Sequence, residues 1–237
     1  MMSNKIALII LLLEVALSSC NVLERAPKNE FTDGFYKERL FKKEKKYIDV
    51  QDETVCIYAT TKQNNKLIID TTKAGRFYKN EMNNSFQHSE TFVNPSLDID
   101  FLTIPFKYRF QQNSVPPQLN ANLNGALYIG YRIDRYVMRY KTNPKLKTDR
   151  NLSHFGISFG LCSGLGSTFM SPTNTNNILQ QEYDALVWNK GIATIFAINK
   201  FTLGLTLGFD NLLDKNNTVW IYESKPWIGL ALGLNIN

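Results

Sequence analysis

The sequence predicts an all-β protein: an antiparallel transmembrane β-barrel, with eight strands as the expected number, preceded by a small β-rich N-terminal region. From residue 97 onward, the 237-residue chain consists of segments in which large apolar residues alternate with small or polar ones. This alternation is typical of strands that face lipid on one side and a barrel interior on the other. No run of about 20 apolar residues follows the N-terminus, so no membrane-spanning helix is predicted. Strands in lipid must pair all their backbone groups, which requires a closed barrel.

The final segment, PWIGLALGLNIN, shows the alternation most clearly. One set of alternate positions holds only large aliphatic residues (Ile228, Leu230, Leu232, Leu234 and Ile236), and the other holds Trp227, Gly229, Ala231, Gly233 and Asn235. Glycine inside a strand weakens it and usually marks a close approach. The pattern therefore predicts an outer face in lipid and an inner face in a narrow space.

The same alternation recurs in LTIPFKYRF, NLNGALYIGYRID, SHFGISFGLCSG and FTLGLTLGFD and, less regularly, in GIATIFAINK. In the first of these, Ile104, Phe106 and Tyr108 are predicted to share the outer face, with Lys107 and Arg109 on the inner face. A soluble β-sandwich also alternates and is the alternative fold. The barrel is favoured because the apolar face is uniformly large and includes aromatic residues, as a lipid-facing band does.

The predicted inner faces carry a candidate polar cluster in the lumen, formed by Lys107, Arg109, Arg132, Asp134, His154 and Asp210. An eight-stranded barrel has room for side chains and little more. We therefore expect these residues to neutralise one another inside a packed interior. A ligand or ion pathway is the alternative role.

External loops are predicted at residues 165–182 and 211–225. Trp220, Tyr222 and Trp227 lie where the second loop re-enters the barrel, and we expect them at the membrane interface, where aromatic residues are enriched. The link at residues 135–150 is too long for an inner turn. It predicts either a further strand or strands that extend well past the membrane.

The N-terminus predicts export. Residues 1–19 resemble a signal peptide, with Lys5 before the apolar residues 6–13. The stretch Leu17-Ser18-Ser19-Cys20 resembles a bacterial lipobox, in which Cys20 would carry the lipid. An ordinary signal peptide, cut after Ser18 or Ser19, is the alternative. The expected location is the outer membrane, with an anchor through Cys20.

Residues 20–32 are predicted to form a tether and residues 33–96 a region of short strands, namely KKYIDV, ETVCIYATT and KLIIDTT. Residues 62–65, KQNN, are predicted to be a hairpin turn, and residues 80–96 are expected to be polar and irregular. The sequence leaves two points open: whether residues 33–80 join the barrel, and whether Cys56 and Cys162 form a disulfide.

LTIPFKYRF resembles the entry strand of the PorT-like outer-membrane β-barrel family. The closing run GFDNLLDKNNTVWIYESKPWIGLALGLNIN is similar to the last hairpin of small barrels from the same Gram-negative group. The resemblance covers residues 97–237. It implies an outer-membrane barrel of roughly eight strands, in a family whose better-known members assist secretion or assembly. It assigns no functional residue.

No catalytic, metal or cofactor site is predicted. The chain has only two histidines, His88 and His154, and Ser158 lies about 13 Å along the strand from His154, too far for direct proton transfer. Residues 21–46 hold eight basic and five acidic residues, which we expect to face solvent or anionic headgroups and not nucleic acid.

The expected function is that of a non-enzymatic outer-membrane (lipo)protein with a structural or interaction role. Its expected partners are outer-membrane lipid and other envelope proteins. The alternatives are a narrow solute channel and a lipid-modifying barrel enzyme.

Overall fold

A computed structural model describes residues 30–51, 53–82, 89–142, 144, 148–199 and 201–235. The chain is all-β and antiparallel, as predicted. None of the helices in these residues is long and apolar enough to cross a membrane. The predicted signal peptide, Cys20 and most of the predicted tether lie outside the described residues.

The three longest strands are β7, β9 and β10, with 21, 19 and 23 residues. In chain order the strands are β1 (Gly34–Lys37), β2 (Lys45–Val50), β3 (Thr54–Gln63), β4 (Lys66–Ile69), β5 (Arg76–Lys79), β6 (Glu81–Met82), β7 (Ser89–Arg109), β8 (Gln118–Asn120), β9 (Asn124–Thr142), β10 (Thr148–Met170), β11 (Tyr183–Ile198), β12 (Phe201–Leu212) and β13 (Pro226–Asn235). Strands β9 and β10 take up most of the predicted link at residues 135–150, and the described residues of the link form no further strand.

Strand pairing forms a ring. The path runs from β7 through β9, β10, β11 and β12 to β13, and β13 pairs with β7 again. All these pairings are antiparallel. The ring contains six strands, so the predicted number of eight is not shown. We call the end with residues 110–123, 171–182 and 213–225 the loop end of the ring.

The N-terminal strands join the same sheet at the opposite end, which answers a question that the sequence left open. Lys37 of β1 pairs with Val93 of β7, and Met82 of β6 pairs with Thr148 of β10. Between them, β1, β2, β3 and β5 pair in succession. The long strands β7, β9 and β10 therefore serve both the ring and the N-terminal region.

Three predictions for this region can be compared with the structure. The hairpin turn is confirmed, because Asn64 and Asn65 take positive φ angles between β3 and β4. The irregular segment at residues 80–96 is wrong in its second half, because β7 begins at Ser89. The predicted boundary at residue 97 lies inside a continuous strand, whose first half pairs with β9.

Side-chain hydrogen bonds fasten the N-terminal strands to the long strands. Arg76 Nη1 and the Tyr78 hydroxyl both donate to Glu90 Oε1, over 2.6 and 2.9 Å. The Tyr140 hydroxyl donates to the carbonyl of Lys79 over 2.6 Å. Burial and the Glu90 carboxylate raise the pKa of Tyr78 to about 12, so its hydroxyl stays protonated and remains a donor at neutral pH.

The predicted alternation is confirmed on β9 to β13. The outward positions expose large apolar side chains, and the inward positions are buried. The exposed set includes Leu127, Ile129 and Tyr131 on β9; Phe155, Ile157, Phe159 and Leu161 on β10; Ile192 and Ile198 on β11; Leu203, Leu205, Leu207 and Phe209 on β12; and Ile228, Leu230 and Leu232 on β13.

The prediction for LTIPFKYRF is wrong at Ile104, which faces inward and is fully buried. Lys107 also faces inward, while Phe106 faces outward as predicted. The cause is an irregularity in the pairing with β13, where Ile104 and Pro105 lie opposite the single residue Ala231. An extra residue reverses the alternation, and proline, which cannot donate to the ladder, is tolerated at such a site.

The small inward residues make room for large inward ones. Trp227 is fully buried, and a Cβ added to Gly208 would lie 2.5 Å from its Cζ2 atom. A Cβ added to Gly229 would lie 2.8 Å from Cγ2 of Ile104. The glycines of the closing strands therefore do not line an open space. They accept the side chains that fill it.

Among the described residues, the interior contains three apolar clusters along its length. The loop-end cluster includes Met170, Val187, Leu212, Trp220 and Tyr222; the middle cluster includes Leu102, Ile104, Tyr128, Ile195 and Trp227; and the N-terminal cluster includes Ile48, Val55, Phe92, Tyr136 and Met138. Cys56 and Cys162 are both buried and both free, so no disulfide joins them.

We predict that Gly208→Val destabilises the fold, because the added methyl groups collide with Trp227, which is enclosed. Overpacking of this kind costs about 1–3 kcal/mol. The measurement is urea unfolding of the full chain, followed by tryptophan fluorescence. Leu207→Val, at the adjacent outward position, is the control, and equal losses in the two variants would contradict the predicted packing.

Candidate functional site

The inward charged residues near the loop end form an ion cluster around Asp210. Lys107 Nζ donates to both oxygens of Asp210, over 2.9 and 3.1 Å, and Arg109 Nη2 donates to Oδ2. All three side chains are at most 3% exposed. The chain brings them together because β13 links β7 to β12 across the closing side of the ring. Two cations share one carboxylate, so the cluster carries one excess positive charge.

Aromatic rings stabilise the two cations of this cluster through cation–π contacts. Lys107 Nζ lies 4.4 Å from the ring centroid of Trp227. The guanidinium of Arg109 lies 5.0 Å from the ring of Trp220 and 5.3 Å from that of Tyr222. Contacts of this geometry are attractive, and more so where water is excluded.

These contacts correct the prediction that Trp220, Tyr222 and Trp227 form an interface belt. All three are buried, with exposed fractions of 3%, 1% and 0%. Trp227 faces inward on β13, and the other two fold from the loop at residues 213–225 onto Arg109. The physical reason is that cations near the loop end offer these rings a buried partner.

A second ion cluster lies toward the N-terminal end. Arg132 Nε donates to both oxygens of Asp134, over 2.9 Å each, and His154 Nε2 lies 2.7 Å from Asp134 Oδ1. The His154 ring packs on Tyr136, with centroids 4.8 Å apart. The backbone N–H of His154 donates to the side chain of Asn199, which holds the end of β11 against β10.

The six candidate residues therefore form two clusters and not one. Lys107, Arg109 and Asp210 are brought together, as are Arg132, Asp134 and His154. The middle apolar cluster, with Ile104, Tyr128 and Trp227, separates the two sets. The sequence shows which side chains face inward. It does not show how far along the ring axis each one lies, because that height depends on strand register.

Sequence reasoning missed two buried acids, Asp98 and Asp100, which are 0% and 2% exposed. They face inward on β7, and Asp100 pairs in register with Tyr128 of β9. Their signal is present in the stretch LDIDF, where aspartates alternate with large apolar residues. The stretch directly precedes LTIPFKYRF, the first segment in which the sequence predicts a regular strand.

The contacts do not assemble a catalytic pair. The described hydrogen bonds of the His154 ring go to Asp134, and the Ser158 hydroxyl pairs with the Tyr128 hydroxyl over 2.7 Å. Acyl transfer by serine needs the histidine on the serine. Within the described ranges, no three histidine, cysteine or acidic side chains are grouped as a metal site would require. What the clusters can do is hold strands together from the inside. The first cluster joins β7 to β12 across β13, and the second joins the neighbouring strands β9 and β10.

Comparisons of the chain with models of protein families, with curated proteins and with solved structures find no match. The resemblance to the PorT-like family therefore stays a prediction.

We predict that Asp210→Asn destabilises the protein by about 3–5 kcal/mol, because it leaves two buried cations without their carboxylate. Lys107→Met should cost less, since it leaves Arg109 and Asp210 as a neutral pair. Urea unfolding of the full chain measures both losses. Asp184→Asn, at an exposed position of β11, is the matched control. A loss no larger than that of Lys107→Met would show that Asp210 does not hold the cluster together.

Proposed function

We propose that the chain is an outer-membrane β-barrel protein, exported and anchored through Cys20, with a structural or interaction role and no catalysis. The observation that carries the proposal is the inverted polarity of the ring strands. Large apolar side chains face outward, and charged side chains face inward.

The outward face is that of a protein in lipid. Leu161 is 68% exposed and Phe201 is 82% exposed, while Lys107 and Asp210 inside are almost fully buried. On β12, the outward positions are apolar from Phe201 to Phe209. Eight residue steps span about 27 Å along a strand, or about 20 Å of height at a tilt of 40–45°. This approaches the apolar band of about 25 Å found on membrane barrels.

The outward face becomes charged where the N-terminal strands join. On β9, the outward positions after Tyr131 alternate between partly buried apolar residues, Ile133 and Val137, and exposed cations, Arg135, Arg139 and Lys141. Charged side chains facing lipid are costly, so this part of the long strands is proposed to lie in water. The N-terminal region would then be a polar extension of the barrel beyond the membrane, available for contacts with other envelope proteins.

The filled interior supports a structural or interaction role over transport. Trp227, Tyr128 and Ile104 occupy the middle of the ring, and Trp220 and Tyr222 cover the ion cluster at the loop end. The resemblance to the PorT-like family extends the proposal to a role in assembly at the outer membrane.

A narrow solute channel is the second candidate function. Arg109 keeps two buried donors, Nε and Nη1, with no hydrogen-bond partner among the described residues. Conductance measurements in planar bilayers would separate a channel from a structural or interaction role.

We predict that the full chain stays in the membrane when Cys20→Ser removes the proposed lipid anchor, and that its mobility on SDS gels shifts on boiling. Both results follow if the ring is a closed barrel in lipid, because such barrels resist cold detergent. The measurement is carbonate extraction of membranes followed by gels of boiled and unboiled samples.

Release of Cys20→Ser into the soluble fraction, with no shift on boiling, would contradict the proposal. The protein would then be a soluble β-sheet protein held on a lipid tether.

A further inference from the structure

Lys190 is a cation in the outward apolar face of the ring. It is half-exposed on β11, and its register neighbours are Ser163 on β10 and Phe209 on β12. Its outward neighbours along β11 are Trp188 and Ile192. None of these four is acidic, and in the described part of the chain Lys190 forms no ion pair. An ionisable side chain at membrane depth is costly unless it has a partner, and it usually marks a functional site.

A groove of about 880 Å³ surrounds this lysine. It runs across β9, β10 and β11, and its walls are apolar side chains that include Leu127, Ile129, Leu161 and Ile192. The groove exists because Ser163 is small where its outward neighbours on β10 are leucines. Its volume lies within the range of ligand sites, about 300–1,000 Å³. An acyl chain can pack against these apolar side chains, but it offers no hydrogen-bond acceptor to the ammonium of Lys190.

The polar groups in the groove are arranged to receive an acceptor. Lys190 Nζ lies 4.5 Å from the ring centroid of Trp188, so the side chain points along the strand toward the loop end. Trp188 Nε1 donates to Ser163 Oγ over 2.9 Å. The serine hydroxyl hydrogen is thereby left to donate outward. An ammonium and a hydroxyl donor next to each other match the oxygens of a phosphate.

On the side of β12, Lys190 lies at the loop-end border of the apolar face, because its register partner Phe209 is followed at the next outward position by the polar Asn211. Asp184, exposed near the start of β11, lies six residues nearer the loop end, with the apolar Leu186 and Trp188 between them. Six steps are about 20 Å along the strand, or roughly 14 Å of height at the usual tilt. A lysine in this position reaches toward the interface while its stem stays in the apolar layer.

We propose that this groove is a binding site for an anionic phospholipid, with the headgroup phosphate on Lys190 and Ser163 and an acyl chain along the apolar wall. The site rests on the proposed function, since it requires the outward face to lie in lipid. One basic residue near an anionic surface contributes about 1 kcal/mol, or about a fivefold preference over a zwitterionic lipid.

The test uses the full chain in phosphatidylcholine vesicles that contain a small share of brominated lipid, which quenches nearby tryptophan. Trp188 is 43% exposed on the outward face, whereas Trp220 and Trp227 are buried. We expect brominated phosphatidylglycerol to quench at about one fifth of the mole fraction that brominated phosphatidylcholine needs. Lys190→Gln should abolish this difference, and Lys190→Arg should keep it. Lys141→Gln, at an exposed position outside the apolar face, is the matched control and should also keep it.

Equal quenching by the two lipids in the unaltered protein, or an undiminished preference in Lys190→Gln, would overturn the site. The mobility shift on boiling separates this failure from a failure of the proposed function. With the shift present, only the lipid site is wrong. If neither lipid quenches and no mobility shift occurs, the protein is not inserted in the bilayer. The lipid site and the proposed function are then both wrong.

Discussion

The pairing of β13 with β7 is the constraint on which the rest of the structure depends. Without it, β7 and β13 would be the open edges of a six-stranded sheet, each with a row of unpaired backbone groups. With it, the path of pairings returns to its first strand, and the ring strands turn one buried face inward. The irregularity opposite Ala231 belongs to this contact, because it turns Ile104, Lys107 and Arg109 all to the inside.

Because the interior of the ring is enclosed, the size and charge of the inward side chains are restricted. A ring of six strands is narrow, so a large side chain fits only where glycine or alanine lies opposite, as Trp227 does against Gly208. Charged residues fit only in groups that neutralise or stack, as around Asp210 and Asp134. The result is a filled interior in alternating apolar and ionic layers. In the proposed membrane setting, the outward face has the opposite requirement and carries charge at Lys190, where the proposed lipid site offers a partner for the ammonium.

The sequence predicts much of this fold because strand alternation is local: the outward and inward positions of β9 to β13 follow from the chain itself. It does not predict what depends on register. The alternation puts Ile104 on the wrong face because the extra residue is visible only against β13. The sequence does not divide the candidate cluster in two because the heights of Lys107 and Arg132 in the ring depend on pairing between strands. It does not predict the burial of Trp220 and Tyr222 because the fold of the loop onto Arg109 leaves no periodic signal.

Disulfide formation between cysteines at Tyr108 and Ile228 tests ring closure most directly. These residues pair in register on the outward face of β7 and β13, where directly opposed Cβ atoms lie about 4.5–5.5 Å apart. Cysteines at Tyr131 and Phe159, paired on β9 and β10, provide a neighbouring-strand control. The account predicts that both pairs cross-link in the full chain in membranes. A disulfide in the control pair but none between β7 and β13 would mean that the sheet is open, and would contradict the account.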